Sequence, residues 1–170
     1  MKTLKRFSVI AAIIFSFSAA TFAQVSATSN ASATIITPIA IANNTEMNFG
    51  NVAVSATPGT VILATDGTRT TTGGVTLPTT TGTVTAAQFT VTGQANFTYS
   101  ITLPSGTTTI SSGANTMTVG TWTSNPTPTG DLGAGASQVL LVGATLNVAA
   151  SQASGTYTSA TPFTVTVNYN

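Results

Sequence analysis

The chain has 170 residues, of which 4 are Lys or Arg and 3 are Asp or Glu, and it contains neither His nor Cys. The absence of His excludes an imidazole base, a Ser/His nucleophile pair and imidazole metal ligation; the absence of Cys excludes thiol catalysis, thiolate zinc sites and disulfide staples. Stability must come from a core and a hydrogen-bonded sheet.

Residues 1–23 read as a secretory signal peptide. Lys2, Lys5 and Arg6 form a basic start, Phe7 to Ala20 a mostly apolar run, and Thr21-Phe22-Ala23 a small-x-small cleavage site before Gln24. The apolar run falls short of the roughly 20 residues of a spanning helix and is broken by Ser8, Ser16 and Ser18, which argues against a membrane anchor. Cleavage there leaves residues 24–170 as a single domain with no transmembrane segment, expected in the periplasm, at the cell surface or outside the cell. In that domain Arg69 stands alone against Glu46, Asp66 and Asp131. One Arg cannot form the basic patch that phosphate backbones or anionic lipids require, so nucleic-acid binding is excluded. The 38 Thr, with Lys, Glu and Leu scarce, point to an all-β chain.

In chain order, Gln24 to Ile35 is an extended arm with Val25, Ala27, Ala31, Ala33 and Ile35 at odd positions. Pro38 interrupts it, Ile39-Ala40-Ile41 resumes a strand, and Asn43-Asn44 reads as a turn. Glu46 to Val54 is the next strand, with Met47 and Phe49 on one face and Gly50 suited to a bulge; Pro58-Gly59 ends it. Thr60 to Ala64 and Thr68 to Thr72 form a hairpin around Asp66-Gly67, and Gly73-Gly74 marks another turn before Val75-Thr76-Leu77. Strands follow at Ala87 to Thr92, Phe97 to Ile101, Thr107 to Ile110 and Thr116 to Val119. Ser124 to Ala136 reads as a surface loop. Gln138 to Val142 and Ala144 to Val148 are strands around Gly143, and Ser151 to Gly155 is a turn. The clearest strand closes the set: Phe163, Val165, Val167 and Tyr169 alternate with Thr164, Thr166 and Asn168. Roughly nine or ten short strands with turn signals every 8 to 12 residues predict an antiparallel β-sandwich. Phe49, Phe89, Phe97, Tyr99, Leu146, Phe163, Val165 and Val167 are expected to share one core.

Three carboxylates, Glu46, Asp66 and Asp131, are each expected in or beside a turn, where turn chemistry explains them better than a glycosidase pair or a calcium loop. Gly133-Ala134-Gly135 lacks the strand, helix and Lys of a phosphate loop. The Thr-x-Thr pairs recur at no fixed period, which favours ordinary solvated strand faces over an ice-binding array. Trp122 is read as packing first and as a sugar platform second. No catalytic, cofactor-binding or metal-binding residue is expected.

Several ordered landmarks now add up. Met47-Asn48-Phe49-Gly50 after an apolar first strand, Gly59-Thr60-Val61, Phe97 to Pro104, Val142 to Leu146, and Gly155-Thr156-Tyr157 leading to Val165 to Tyr169 resemble the DUF4402 family of bacterial exported proteins. More distantly, the Asn-Phe-Gly element, the Gly-Thr-Tyr element and the terminal strand are similar to spore coat protein U and chaperone-usher pilin subunits, relatives that usually carry a disulfide this chain lacks. The resemblance implies an immunoglobulin-like sandwich exported to the cell surface. In pilins an N-terminal arm of the next subunit completes the fold by strand addition. The arm Gln24 to Ile35 fits either that role or the first strand of its own sandwich.

The expected function is a non-enzymatic structural or adhesive surface subunit, pilin-like or coat-like, assembling through β-strand addition. Its expected partners are copies of itself or other surface subunits, with a periplasmic chaperone in the pilin case. The alternative is a self-contained secreted module that binds glycans through Trp122 or Tyr99.

Overall fold

The computed structural model describes residues 24–170; the signal-peptide reading of residues 1–23 lies outside the described residues. Residues 24–34 carry no strand and are exposed throughout, with Val25 93 % exposed. The body from Ile35 to Asn170 is all-β.

Eleven strands build it: β1 (Ala40–Thr45), β2 (Ala53–Leu63), β3 (Arg69–Thr76), β4 (Ala87–Thr92), β5 (Thr98–Thr102), β6 (Thr108–Ser112), β7 (Asn115–Asn125), β8 (Thr129–Asp131), β9 (Ser137–Val148), β10 (Thr158–Ser159) and β11 (Thr166–Tyr169). They form two antiparallel sheets. The larger runs β1-β4-β9-β7-β6-β10, with β2 also on β9 and β3 on β2; the smaller runs β11-β5-β8.

The organising strand is β9. The sequence suggests two strands around Gly143, but the ladder runs through it for twelve residues because that residue lies at the centre of a pattern that never breaks phase. Leu140, Val142, Ala144, Leu146 and Val148 all turn inward and are buried. One edge of β9 is shared: residues 137–142 pair with β4 and residues 144–148 with β2, while β7 covers the other edge.

Long β9 therefore serves two cores rather than the single one expected. The first cluster holds Ala87, Phe89, Val91, Tyr99, Leu132, Leu140, Val142, Val165 and Val167, drawn from both sheets. The second holds Val61, Val75, Val119, Ala144, Leu146 and Val148, every one from the larger sheet. Of the expected core residues, Phe97 lies outside, 39 % exposed. Its N–H closes a turn on the Gln94 carbonyl before β5 begins, and its ring packs edge-on against Tyr169, with centroids 5.6 Å apart. Phe49 and Phe163 are partly buried at the cluster margins.

Several turn signals are absorbed into strands. Asn43-Asn44 lies within β1, where the register slips between Asn43 and Thr45. Pro58-Gly59 and Gly73-Gly74 lie inside the β2–β3 ribbon, which slips register between Val54 and Gly59. Gly73 faces Gly59 with φ +62, and a Cβ on Gly73 would overlap the Pro58 carbonyl. Gly67, in the β2–β3 turn, has φ +84 but open space around it. Gly67→Ala is expected to cost about 1–2 kcal/mol, from the left-handed backbone alone. Gly73→Ala adds the collision and is expected to lower the urea midpoint several times further; equal shifts would show that the ribbon yields instead.

The strand expected from Glu46 to Val54 is not formed over residues 46–52, where only Asn48 bridges, to Thr85; β2 begins at Ala53. The expected loop from Ser124 to Ala136 contains β8 and the buried Leu132. At the end, Phe163 to Tyr169 alternates as expected in burial, but only Thr166 to Tyr169 is laddered.

Candidate functional site

The end strand β11 pairs with β5 on one side only. Asn170 N–H donates to the Thr98 carbonyl at 3.4 Å, so antiparallel alternation turns the backbone groups of Thr166 and Asn168 toward β5 as well. Val167 and Tyr169 thus present their N–H and C=O groups on the open side of the strand. No strand among the described residues pairs with those groups, although Val167 as a whole is only 7 % exposed. Val167 is buried in the first cluster and Tyr169 packs against it. An open edge lying directly over core residues is what another strand could extend.

Beside that edge the start of the body is clamped. The Tyr169 hydroxyl accepts from Gln94 N–H at 2.6 Å and donates to the Thr37 carbonyl at 2.7 Å. Thr37 N–H in turn donates to Gln94 Oε1 at 3.2 Å.

A groove opens at the opposite end of β11, where Phe163, Thr164 and Val165 lead into the strand. It arises because the smaller sheet stops short of the second cluster. Met47, Phe49 and Val52 pack there as a loop, and Ile110, Met117 and Trp122 of the larger sheet complete the lining. The groove encloses about 1120 Å³. Trp122 and Phe163 stack at a tilt, centroids 4.5 Å apart, and Trp122 Nε1 is held by the Gly106 carbonyl at 2.8 Å. Arg69 does not enter the groove; its guanidinium donates to the Phe49 and Asn51 carbonyls and fixes the 49–51 loop.

The three carboxylates are scattered. Asp66 Oδ1 accepts from both the Thr68 hydroxyl, at 2.7 Å, and the Thr68 N–H, at 2.9 Å, and these bonds hold its pKa below the ordinary carboxylate value. Asp131 Oδ1 accepts from Gly133 N–H at 2.8 Å, which places Gly133 in a side-chain-closed turn. Glu46 follows β1, where its carbonyl accepts from the Thr85 hydroxyl, and its side chain lies at the groove rim. Among the described residues no three acidic side chains come together, and no helix is long and apolar enough to cross a membrane.

The two suggested glycan platforms are placed very differently. Tyr99 is fully buried, its hydroxyl donating to Gln138 Oε1 at 2.9 Å, so its ring cannot stack on a sugar. Trp122 is half-buried and faces the groove. Sequence reasoning did not reach the groove itself. Ile110 and Met117 read as ordinary strand residues, and nothing local in the sequence reveals that the facing sheet ends before it covers them.

What the fold defines is an all-β sandwich of two antiparallel sheets, one with an open end strand. Residues 39–169 match the family model of DUF4402, a domain of unknown function, and the chain belongs to that family. No curated protein and no solved structure matches the chain.

Proposed function

We propose that this protein is a non-enzymatic, exported structural or adhesive surface subunit that assembles by β-strand addition along β11. The observation that carries the reading is the open side of β11 above the buried Val165 and Val167: backbone groups there supply affinity while the core fixes the strand's position. The signal-peptide reading supports export. Sparse charge supports association, since few like charges oppose it. The uncharged arm of residues 24–34 is a candidate for the added strand, from another copy, and the resemblance to pilin and spore coat U subunits points the same way. In such a pathway a periplasmic chaperone would cover the open edge before assembly, and other surface subunits could take the place of a second copy.

Val167→Pro tests this reading. Residue 167 turns its N–H away from β5, so Pro removes a donor from the open side and none from the β5 ladder, and its fixed φ is compatible with extended backbone. The wild-type mature chain is expected to form concentration-dependent oligomers by light scattering. The variant is expected to keep its β circular dichroism and run as a monomer, as is protein lacking residues 24–34. A wild-type chain that stays monomeric at high concentration defeats the proposal.

A further inference from the structure

We propose that the groove over the second cluster is a binding site for an elongated, uncharged, apolar molecule of the long-chain alcohol or neutral acyl type. The inference is independent of strand addition at β11. Its basis is the shape and chemistry of the lining. Met47, Phe49, Ile110, Met117 and Trp122 line it together, with Phe163 stacked against Trp122. All six are half-buried and line the same concavity. At about 1120 Å³ the space slightly exceeds the roughly 300–1,000 Å³ of ordinary small-molecule sites, room for an elongated ligand. The two thioethers in the lining, Met47 and Met117, can adjust to a flexible chain, and the tilted Trp122–Phe163 pair offers a fixed aromatic surface.

The polar groups select against other ligands. A sugar needs converging hydrogen-bond partners at the floor, but the floor is Val119, Leu146 and Val148, with amides and hydroxyls such as Gln152 and Tyr157 among the remaining lining. Gln152 and Tyr157 are already bonded to each other at 2.8 Å. Among the lining residues Glu46 alone is charged, and Arg69 is committed to backbone carbonyls. An anionic head group would therefore meet a carboxylate with no cation to offset it. The arm of a second copy is a poor filling for this space, because Ala27, Ala31 and Ala33 carry only a methyl group each.

Trp122, the only Trp in the chain, reports on the groove directly. The mature wild-type protein is titrated with 1-decanol and with decanoate near pH 8, where free decanoate is anionic. Decanol is expected to give a saturable blue shift of Trp122 emission, decanoate to bind several-fold more weakly, and Glu46→Gln, at an exposed rim position, to narrow that gap. Ile110→Phe, which fills the groove, is expected to weaken decanol at least fivefold while circular dichroism is retained. No saturable shift with decanol, or equal binding of decanol and decanoate to wild type, overturns the proposal. So does decanol binding that appears only after residues 24–34 are deleted and is suppressed by a peptide of that sequence, since the occupant is then the arm of a second copy.

Discussion

Val165→Asp is expected to abolish the folded state near room temperature. Val165 is buried in the first cluster, at the approach to β11, among Phe89, Leu140 and Val142. Among the described residues a carboxylate there has no cation near it, because Arg69 is held at the 49–51 loop. Burying it unpaired costs several kcal/mol against a total stability of roughly 5–15 kcal/mol for a domain. Thr164→Asp and Thr166→Asp, one residue to either side and exposed, should change the urea midpoint little. Loss of the cooperative transition in Val165→Asp alone would confirm that the final strand belongs to the core. A folded Val165→Asp would remove it from there.

The second large effect is at Tyr99, fully buried and the largest such side chain in the body. Tyr99→Ala should cost about 3–5 kcal/mol, the loss of an aromatic side chain from a packed site. Tyr99→Phe should cost about 1 kcal/mol, because Gln138 Oε1 keeps its bond from Asp131 N–H at 2.8 Å. The phenol also sets a pH dependence. Burial raises the Tyr99 pKa. As pH rises past the ordinary tyrosine value of about 10, the unfolded chain releases this proton while the native state retains it, so stability is full below that pH and falls above it. Chemical denaturation from about pH 8 to about pH 11 should show that alkaline limb in wild type and a shallower one in Tyr99→Phe. Identical limbs would place the pH dependence elsewhere.

How far the sequence could be read depends on the range over which each signal acts. The alternation of Phe163 to Tyr169 is set by neighbouring residues and gave the correct inward face, though only Thr166–Tyr169 is laddered, and Gln138 to Val142 and Ala144 to Val148 were legible as strand. Gly and Pro were misleading where the larger fold overrode them: Gly143 continues β9, and Pro58-Gly59 and Gly73-Gly74 become a bulged ribbon because the glycines let two backbones approach closely. Alternation with Tyr99 and Ile101 points Phe97 to the core, but the turn at Gln94 takes it off the strand. Alternation marks β11 as a strand but does not tell how many neighbours it pairs with, so its open side was not legible. Nor was the groove, because it arises where the smaller sheet ends, a property of two segments more than a hundred residues apart, such as Met47 and Phe163.

The pairing of β11 with β5 also fixes when folding can finish. Tyr99 and its neighbours in β5 must wait for residues 165–169 to be made before the first cluster can close, and the Tyr169 hydroxyl bond to Thr37 spans 132 positions of sequence. Such long-range closure is slow relative to local hairpins. During synthesis the β2–β3 hairpin and the β6–β7 pair can form early, while Phe89, Val91 and Leu140 stay uncovered until the last strand arrives. A chain made only as far as Leu140 therefore holds its local hairpins but not its first cluster.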